Sequence, residues 1–152
     1  EGDRFYRQAA EKTEYPEARE MFLSLAEDER QHLLWLEEQE NQLQQKGEWL
    51  PYEVLPAKRR RVEKGLPIFS SQEVARDIKK YRSQIPVLKS GLELEEKSRA
   101  LYVEAAAQCP DEKGKAMYSE LAQWEKEHWE LLKREYDFLL QEYKRSMGFE
   151  PF

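Results

Sequence analysis

Two segments of this chain repeat one pattern of residues. Residues 5–40 align with residues 101–136 without a gap, so that residue 32 matches residue 128 at an offset of 96. The matched pairs include Tyr6 with Tyr102, Ala9 with Ala105, Met21 with Met117, Leu25 with Leu121, Glu29 with Glu125 and His32 with His128. This repeat is too long to be the unit of a solenoid. Two copies of a helix pair instead predict an all-α, four-helix bundle with pseudo-twofold symmetry.

Start and stop signals place the four helices. The first runs from the start of the sequence to about residue 13, and Pro16 suits the first turn of the second. Gly47 can end the second helix. The third begins near residue 87 and ends before Pro110, and the fourth runs from about residue 111 to about residue 146. We expect one domain over residues 1–152, a length typical of a single core.

A long linker at residues 48–86 joins the two copies. It contains prolines at positions 51, 56 and 67, before Pro86 at its end, and therefore cannot be one helix. Ser70 followed by Glu73 is a capping-box pattern, which predicts one short helix ending before Pro86. A simple up-down bundle uses tight loops, whereas one long crossover allows the second and third helices to run parallel.

Composition excludes several classes of protein. The formal net charge of -6 argues against nucleic acid as a partner. Cys109 is the only cysteine, which rules out an intramolecular disulfide and a four-cysteine metal site and favours a reducing compartment such as the cytoplasm. No apolar run approaches the roughly 20 residues of a membrane helix, so we expect no membrane partner. We interpret a basic cluster at residues 58–61 as a solvated loop, with an acidic redox partner as the alternative.

Both histidines of the chain follow a glutamate at the same spacing. Glu29 and His32 lie in the second helix, and Glu125 and His128 occupy the same positions in the fourth. Three residues separate each pair, so its side chains leave the helix on nearly one face, which also carries leucines at helical spacing. One such pair alone would be interpreted as a surface salt bridge. Its repetition on an apolar face favours metal binding over a satisfied polar network in the core.

A dinuclear site in a helix bundle also needs carboxylates from the other two helices. In the third helix we select Glu93 and Glu96, which share a face with Leu92 and Val103 more closely than Glu95 does. A solvated acidic stretch is the alternative interpretation. The counterpart of Glu93 in the first helix would precede residue 1, so a Glu ligand from that helix would have to lie outside the printed sequence.

The two copies resemble the rubrerythrin branch of the ferritin-like superfamily. The resemblance rests on FYRQAAEKT with EMFLSLAEDERQH, and on LYVEAAAQC with AMYSELAQWEKEH, and it covers both helix pairs. It implies a ferritin-like four-helix bundle that binds two iron ions, for which manganese or zinc can substitute. Glu29 and Glu125 would bridge the ions, His32 and His128 would be terminal ligands, and the metal set would be completed by Glu93 and Glu96.

The resemblance also implies partners. Family members that reduce peroxide often carry a four-cysteine iron domain, which this sequence lacks, so electrons would come from a separate donor such as a rubredoxin-like protein. A homodimer is expected on the same ground. The leading hypothesis is a redox enzyme that reduces hydrogen peroxide or dioxygen. The alternatives are ferrous-iron oxidation with iron storage, and a non-catalytic helical interaction module.

Aromatic residues accompany the candidate ligands. Tyr6 and Tyr102 are candidates for hydrogen bonds to ligand carboxylates, with core packing as the alternative. Trp35, Trp124 and Trp129 lie near the histidines in the sequence, and we expect them to be packed in the core. Shielding of the metals and electron transfer are the alternative roles for these tryptophans.

Overall fold

The protein is described by a computed structural model that covers residues 1–54, 67–69 and 71–148. Its elements are α1 (Gly2–Lys12), α2 (Pro16–Lys46), a 3-10 turn (Tyr52–Val54), α3 (Ser71–Arg76), α4 (Ile78–Tyr81), α5 (Gln84–Gln108) and α6 (Glu112–Ser146). The described ranges contain no strand, which confirms the all-α prediction. The basic cluster at residues 58–61 and the capping residue Ser70 lie outside these ranges.

The four long helices form two hairpins. α1 packs against α2, and α5 packs against α6, as the repeat predicted. Pro16 occupies the first turn of α2, where a missing backbone N–H costs no helical hydrogen bond. Gly47 ends α2 in the left-handed conformation, with φ of 70°, which glycine adopts without steric penalty. Asp111 caps α6 by accepting hydrogen bonds from two backbone N–H groups in its first turn.

Contacts at the helix ends show that α2 and α5 run in the same direction. Tyr15, just before α2, stacks on Tyr81, just before α5, with ring centroids 4.1 Å apart. At their other ends, Trp49 follows α2 and Cys109 follows α5, and both lie beside Gly114. A Cβ on Gly114 would lie 2.6 Å from Cys109 Sγ and 2.8 Å from the Trp49 ring. The parallel arrangement expected from a long crossover is therefore present.

The crossover differs in detail from the predicted single short helix. The described part of the crossover contains two short α-helices, α3 and α4, and α5 begins three residues earlier than expected, at Gln84. Pro86 lies inside the first turn of α5, where the backbone N–H groups have no helical partner and proline is tolerated. In the described ranges no helix has the length and hydropathy that crossing a membrane requires.

Two buried polar side chains at equivalent repeat positions hold the crossover. Gln39 in α2 donates to the Leu50 carbonyl at 2.7 Å and accepts from the Leu50 N–H at 3.0 Å. Glu135, which matches Gln39 at the offset of 96, accepts from the Ile68 N–H at 2.9 Å. Both side chains are at most 2% exposed. The repeat therefore secures the crossover to the bundle near its start and near its middle.

The apolar core has two parts with polar residues between them. The larger cluster includes Tyr6, Phe22, Leu25, Leu88 and Leu132. The smaller cluster is centred on Trp35, Met117, Leu121 and Trp124. Along α2 and α6 the Glu-x-x-His pairs fall between residues of the two clusters. The fold therefore encloses carboxylates and imidazoles with apolar layers on both sides.

Candidate metal centre

Four side chains from three helices converge at one buried point. Glu29, Glu95, Glu125 and His128 each offer a ligand atom, and these atoms all lie within 4.8 Å of one another. The Glu95 and Glu125 side chains are 1% exposed and that of Glu29 is 13% exposed. Oxygen and imidazole nitrogen donors of this kind suit iron or manganese as well as zinc.

His32 stands beside the same carboxylates. Its Nδ1 lies 3.3 Å from Glu125 Oε1 and 3.5 Å from Glu29 Oε1, and its side chain is 2% exposed. Its ring centroid lies 5.6 Å from that of His128. The structure thus brings together both predicted Glu-x-x-His pairs. Glu29 and Glu125 contact both histidines, which is the position a shared carboxylate would need.

The carboxylates predicted in the third helix require correction. Glu93 and Glu96 do not face the cluster, because both are exposed on α5, while Glu95 is buried in it. The sequence predicts an inward face along Leu92 and Val103, but Val103 is 52% exposed. The buried stripe of α5 follows Leu88, Gly91, Glu95 and Ala106 instead. Leu88, Gly91 and Glu95 follow one another at spacings of three and four residues, and this helical spacing is the sequence pattern that indicates the inward face.

Asp28 was missed by the sequence reasoning and contacts a histidine of the opposite hairpin. His128 Nε2 lies 3.2 Å from Asp28 Oδ2, and both residues are buried. An ionised carboxylate can only accept, so the imidazole N–H at Nε2 must donate. His128 Nδ1 then points to Glu29, Glu95 and Glu125, at 3.6, 3.6 and 3.4 Å. An outer carboxylate that orients a histidine in this way is usual for metal ligands.

The tyrosines of the repeat take different positions around the cluster. Tyr6 is fully buried, and its hydroxyl donates to Glu95 Oε1. Tyr6, one of the two tyrosines predicted to hydrogen-bond a ligand carboxylate, thus contacts a carboxylate of the cluster. Tyr102 packs its ring edge-on to His32, with centroids 6.5 Å apart. Tyr6 therefore fixes the orientation of Glu95, whereas Tyr102 borders the histidine.

The glycine at the start of α1 also shapes the cluster. A Cβ built on Gly2 would overlap the carboxylate of Glu29. The absence of a side chain at this position lets α1 approach α2 closely where Glu29 turns inward. A larger residue than glycine at position 2 would therefore displace the Glu29 carboxylate from the cluster.

The electrostatics of the cluster favour positive charge. Burial alone would lower the pKa of His32, but the carboxylates of Glu125 and Glu29 raise it to about 9. Burial likewise opposes the charge on His128, yet Asp28 and the cluster carboxylates raise its pKa well above the usual value. Burial raises the pKa of Glu95 to about 8, against the opposing influence of His128. Protons bound to these side chains thus offset the negative charge of the buried carboxylates, and a bound metal cation would take the place of the protons.

The buried donor atoms fit a metal. Among the described residues, several atoms of the cluster have no hydrogen-bond partner; they are Glu29 Oε1, both Glu125 oxygens, both His32 nitrogens and His128 Nδ1. Buried polar atoms are rarely left without a partner in native proteins. Their convergence on one point is what a set of metal ligands requires.

Comparison with protein families gives a match that agrees with this chemistry. The family model described as rubrerythrin matches residues 1–136. The chain belongs to the rubrerythrin family. The rubrerythrin match covers the first hairpin, the crossover and the second hairpin up to residue 136 in α6, and so includes every residue of the cluster.

The rubrerythrin family implies a bound metal, usually iron, and the cluster of Glu29, Glu95, Glu125 and His128 could hold one. Searches of curated proteins and of solved structures gave no significant match. For this rubrerythrin, the residues that hold the metal are therefore inferred from the cluster itself.

Proposed function

We propose that this protein is a non-haem diiron-carboxylate enzyme that reduces hydrogen peroxide or dioxygen with electrons from a separate donor. The observation that carries the proposal is the convergence of Glu29, Glu95, Glu125, His32 and His128 in one buried cluster. Family membership supports a redox role for such a cluster. A rubredoxin-like donor and a homodimer stay predictions that accompany it.

Each side chain has a role in this proposal. Glu29 and Glu125 contact both histidines and would bridge the two ions. Glu95 and His128 would complete the ligands of one ion, and His32 would bind the other. When bound, two ferrous ions supply two electrons, the number that reduces one hydrogen peroxide to two water molecules.

Residues around the ligands keep them in place. Asp28 holds the proton on Nε2 of His128, so that Nδ1 offers its lone pair to the cluster. Tyr6 donates to Glu95 and leaves the second oxygen of that carboxylate for a metal. Trp124 packs against His32, with centroids 4.8 Å apart, and helps to exclude water from that side.

Metal analysis and turnover test the proposal. Protein purified without oxygen should contain two iron ions per chain and should consume peroxide or dioxygen repeatedly with a chemical reductant. Glu29→Ala and Glu125→Ala should each lose the metal pair, because each removes a shared carboxylate. Glu130→Ala, on the exposed face of α6, is the matched control and should retain it.

The alternatives give different results in the same experiment. Absence of bound metal in the wild-type protein would favour a non-catalytic interaction module and contradict the proposal. A single turnover of ferrous-iron oxidation without sustained oxidant consumption would favour iron handling. If Glu125→Ala still binds two metal ions, the cluster is not the metal-binding site.

A further inference from the structure

Three oxidisable aromatic rings lead from the cluster to the protein surface. The Trp124 ring lies 4.8 Å from that of His32, the Trp35 ring lies 5.0 Å from Trp124, and the Tyr52 ring lies 6.2 Å from Trp35, measured between centroids. Trp124 and Trp35 are each 3% exposed, whereas Tyr52 is half-buried in the 3-10 turn. We call Trp124, Trp35 and Tyr52 the aromatic row.

The aromatic row exists on one side of the pseudo-twofold only. At the offset of 96, Trp124 matches Asp28, and Trp35 matches Leu131. The other half of the bundle therefore packs with an aspartate and a leucine at the same positions. Since packing in this fold does not require tryptophan there, the His32 side carries a chemistry that the His128 side lacks.

The other aromatic contacts of the cluster do not continue in the same way. Tyr6 touches Glu95, but its ring neighbours are Phe5 and Phe22, at 5.1 and 6.3 Å. A phenylalanine ring gives up an electron far less readily than tryptophan or tyrosine. Electron tunnelling falls off exponentially with distance, so closely spaced rings of low oxidation potential are the preferred route. Tyr102 also borders His32, but its ring lies 6.5 Å away, which is farther than any step within the aromatic row. The aromatic row therefore offers the closest spacing from a histidine of the cluster to a half-buried tyrosine.

We propose that the aromatic row carries oxidising equivalents from the metal centre to Tyr52 when an oxidant takes more electrons than the centre holds. This inference rests on the proposed function. Its role is protective, because it moves damage away from the buried ligands to a surface group that an external thiol can reduce.

The electrons balance with dioxygen as oxidant and a thiol as reductant. Reduction of dioxygen to two water molecules takes four electrons and four protons, and two ferrous ions supply two of the electrons. Trp124 gives each remaining electron and is then re-reduced by Trp35. Trp35 is in turn re-reduced by Tyr52, whose phenol releases its proton to solvent. The tyrosyl radical takes one hydrogen atom from a thiol, and two oxidised thiols couple as a disulfide. Two protons thus come from thiol and two from solvent.

The test uses the iron-loaded full chain mixed with dioxygen and no thiol. Rapid-freeze electron paramagnetic resonance should show a tyrosyl radical, and peptide mass spectrometry should find oxidation at Tyr52. Tyr52→Phe keeps the ring but removes the phenol, so the tyrosyl signal should be lost and oxidation should move back to Trp35 and Trp124. Trp129→Phe is the matched control and should behave as wild type, since Trp129 is not part of the aromatic row.

Two outcomes would overturn the aromatic row as a route. One is a wild-type chain that loads iron and reacts with dioxygen without oxidation at Tyr52. The other is an unchanged radical and oxidation pattern in Tyr52→Phe. Failure to load iron would instead overturn the proposed function.

A metal-free experiment decides the route even if no iron binds. A ruthenium photo-oxidant is attached at Glu53→Cys, beside position 52, in a Cys109→Ser and Tyr52→Phe background, which leaves no phenol at position 52 to retain the oxidising equivalent. A light flash should then produce the absorption of a tryptophan radical. Loss of that signal in Trp35→Phe supports the route, and its persistence there contradicts it.

Discussion

Replacing Glu95 with glutamine tests which carboxylate of α5 serves the metal centre. Glu95 is 1% exposed and its Oε2 lies 3.6 Å from His128 Nδ1. Glutamine keeps the side-chain volume and an oxygen that can accept from Tyr6, but it cannot take up the negative charge with which a carboxylate binds a metal, and it lacks one metal-binding oxygen. The substitution therefore separates metal binding from folding.

The expected loss can be bounded from the position of Glu95. Loss of an outer partner of a ligand costs about 10–100-fold in metal affinity. Glu95 lies among the ligand atoms themselves, so we expect a loss of at least about 100-fold, or about 2.7 kcal/mol. The metal-free protein should change its unfolding free energy by less than about 1 kcal/mol, because the hydrogen bond from Tyr6 can be kept.

The assay is a metal titration by calorimetry, with chemical unfolding of the metal-free protein alongside. Glu93→Gln and Glu96→Gln make the same charge change on the exposed face of α5 and serve as controls. Both should bind metal as wild type does and change stability by less than about 0.5 kcal/mol. A wild-type affinity in Glu95→Gln, or an equal loss in either control, would refute the reasoning from the buried stripe of α5.

Three further substitutions test the surroundings of the cluster and the attachment of the crossover. Asp28→Ala removes the partner of His128 Nε2 and should weaken metal binding by about 10–100-fold, measured by competition with a chelator. Gly2→Ala places a methyl group against the Glu29 carboxylate and should lower metal affinity with little change in helix content by circular dichroism. Glu135→Ala leaves a backbone N–H of the crossover without its acceptor and should cost about 1–3 kcal/mol in urea unfolding.

Two control variants show whether the losses in Asp28→Ala and Glu135→Ala come from the contacts described. Glu27→Ala also removes one carboxylate, next to Asp28 in the sequence, but the Glu27 side chain is 46% exposed and bonds only to Arg30 and Gln31 in the described contacts. Glu27→Ala should leave metal affinity unchanged. If it lowers metal affinity as much as Asp28→Ala does, the loss of a negative charge near the cluster explains the effect, and the contact to His128 does not. Glu135→Gln keeps an acceptor and should recover most of the stability lost in Glu135→Ala.

The helices and the paired histidines could be predicted because the repeat makes each copy support the other. Glu29 and His32 alone resemble a surface ion pair, but their recurrence as Glu125 and His128 indicates a shared interior position. Local signals such as Pro16 bounded the helices well. The sequence therefore determined the long-range arrangement through repetition rather than through any single motif.

The choice among the carboxylates of α5 failed for a physical reason. α5 exposes Leu101 at 62% and Val103 at 52%, while it buries Glu95 and Gly91. Apolar residues therefore do not mark its inward face, and a rule based on them selects Glu93. The burial of Glu95 depends on Tyr6 and His128, which come from other helices and cannot be located from one helix.

The differences between the two copies carry information that their similarity does not. Repetition explains why two glutamates and two histidines meet, but exact symmetry would give both histidines the same neighbours. Asp28 fixes the far nitrogen of His128, whereas its counterpart Trp124 presents an aromatic ring to His32. A carboxylate partner raises the basicity of the imidazole it holds, and a ring contact does not. The two halves of the centre therefore offer a metal unequal ligands, and the His128 side should be filled first in a titration.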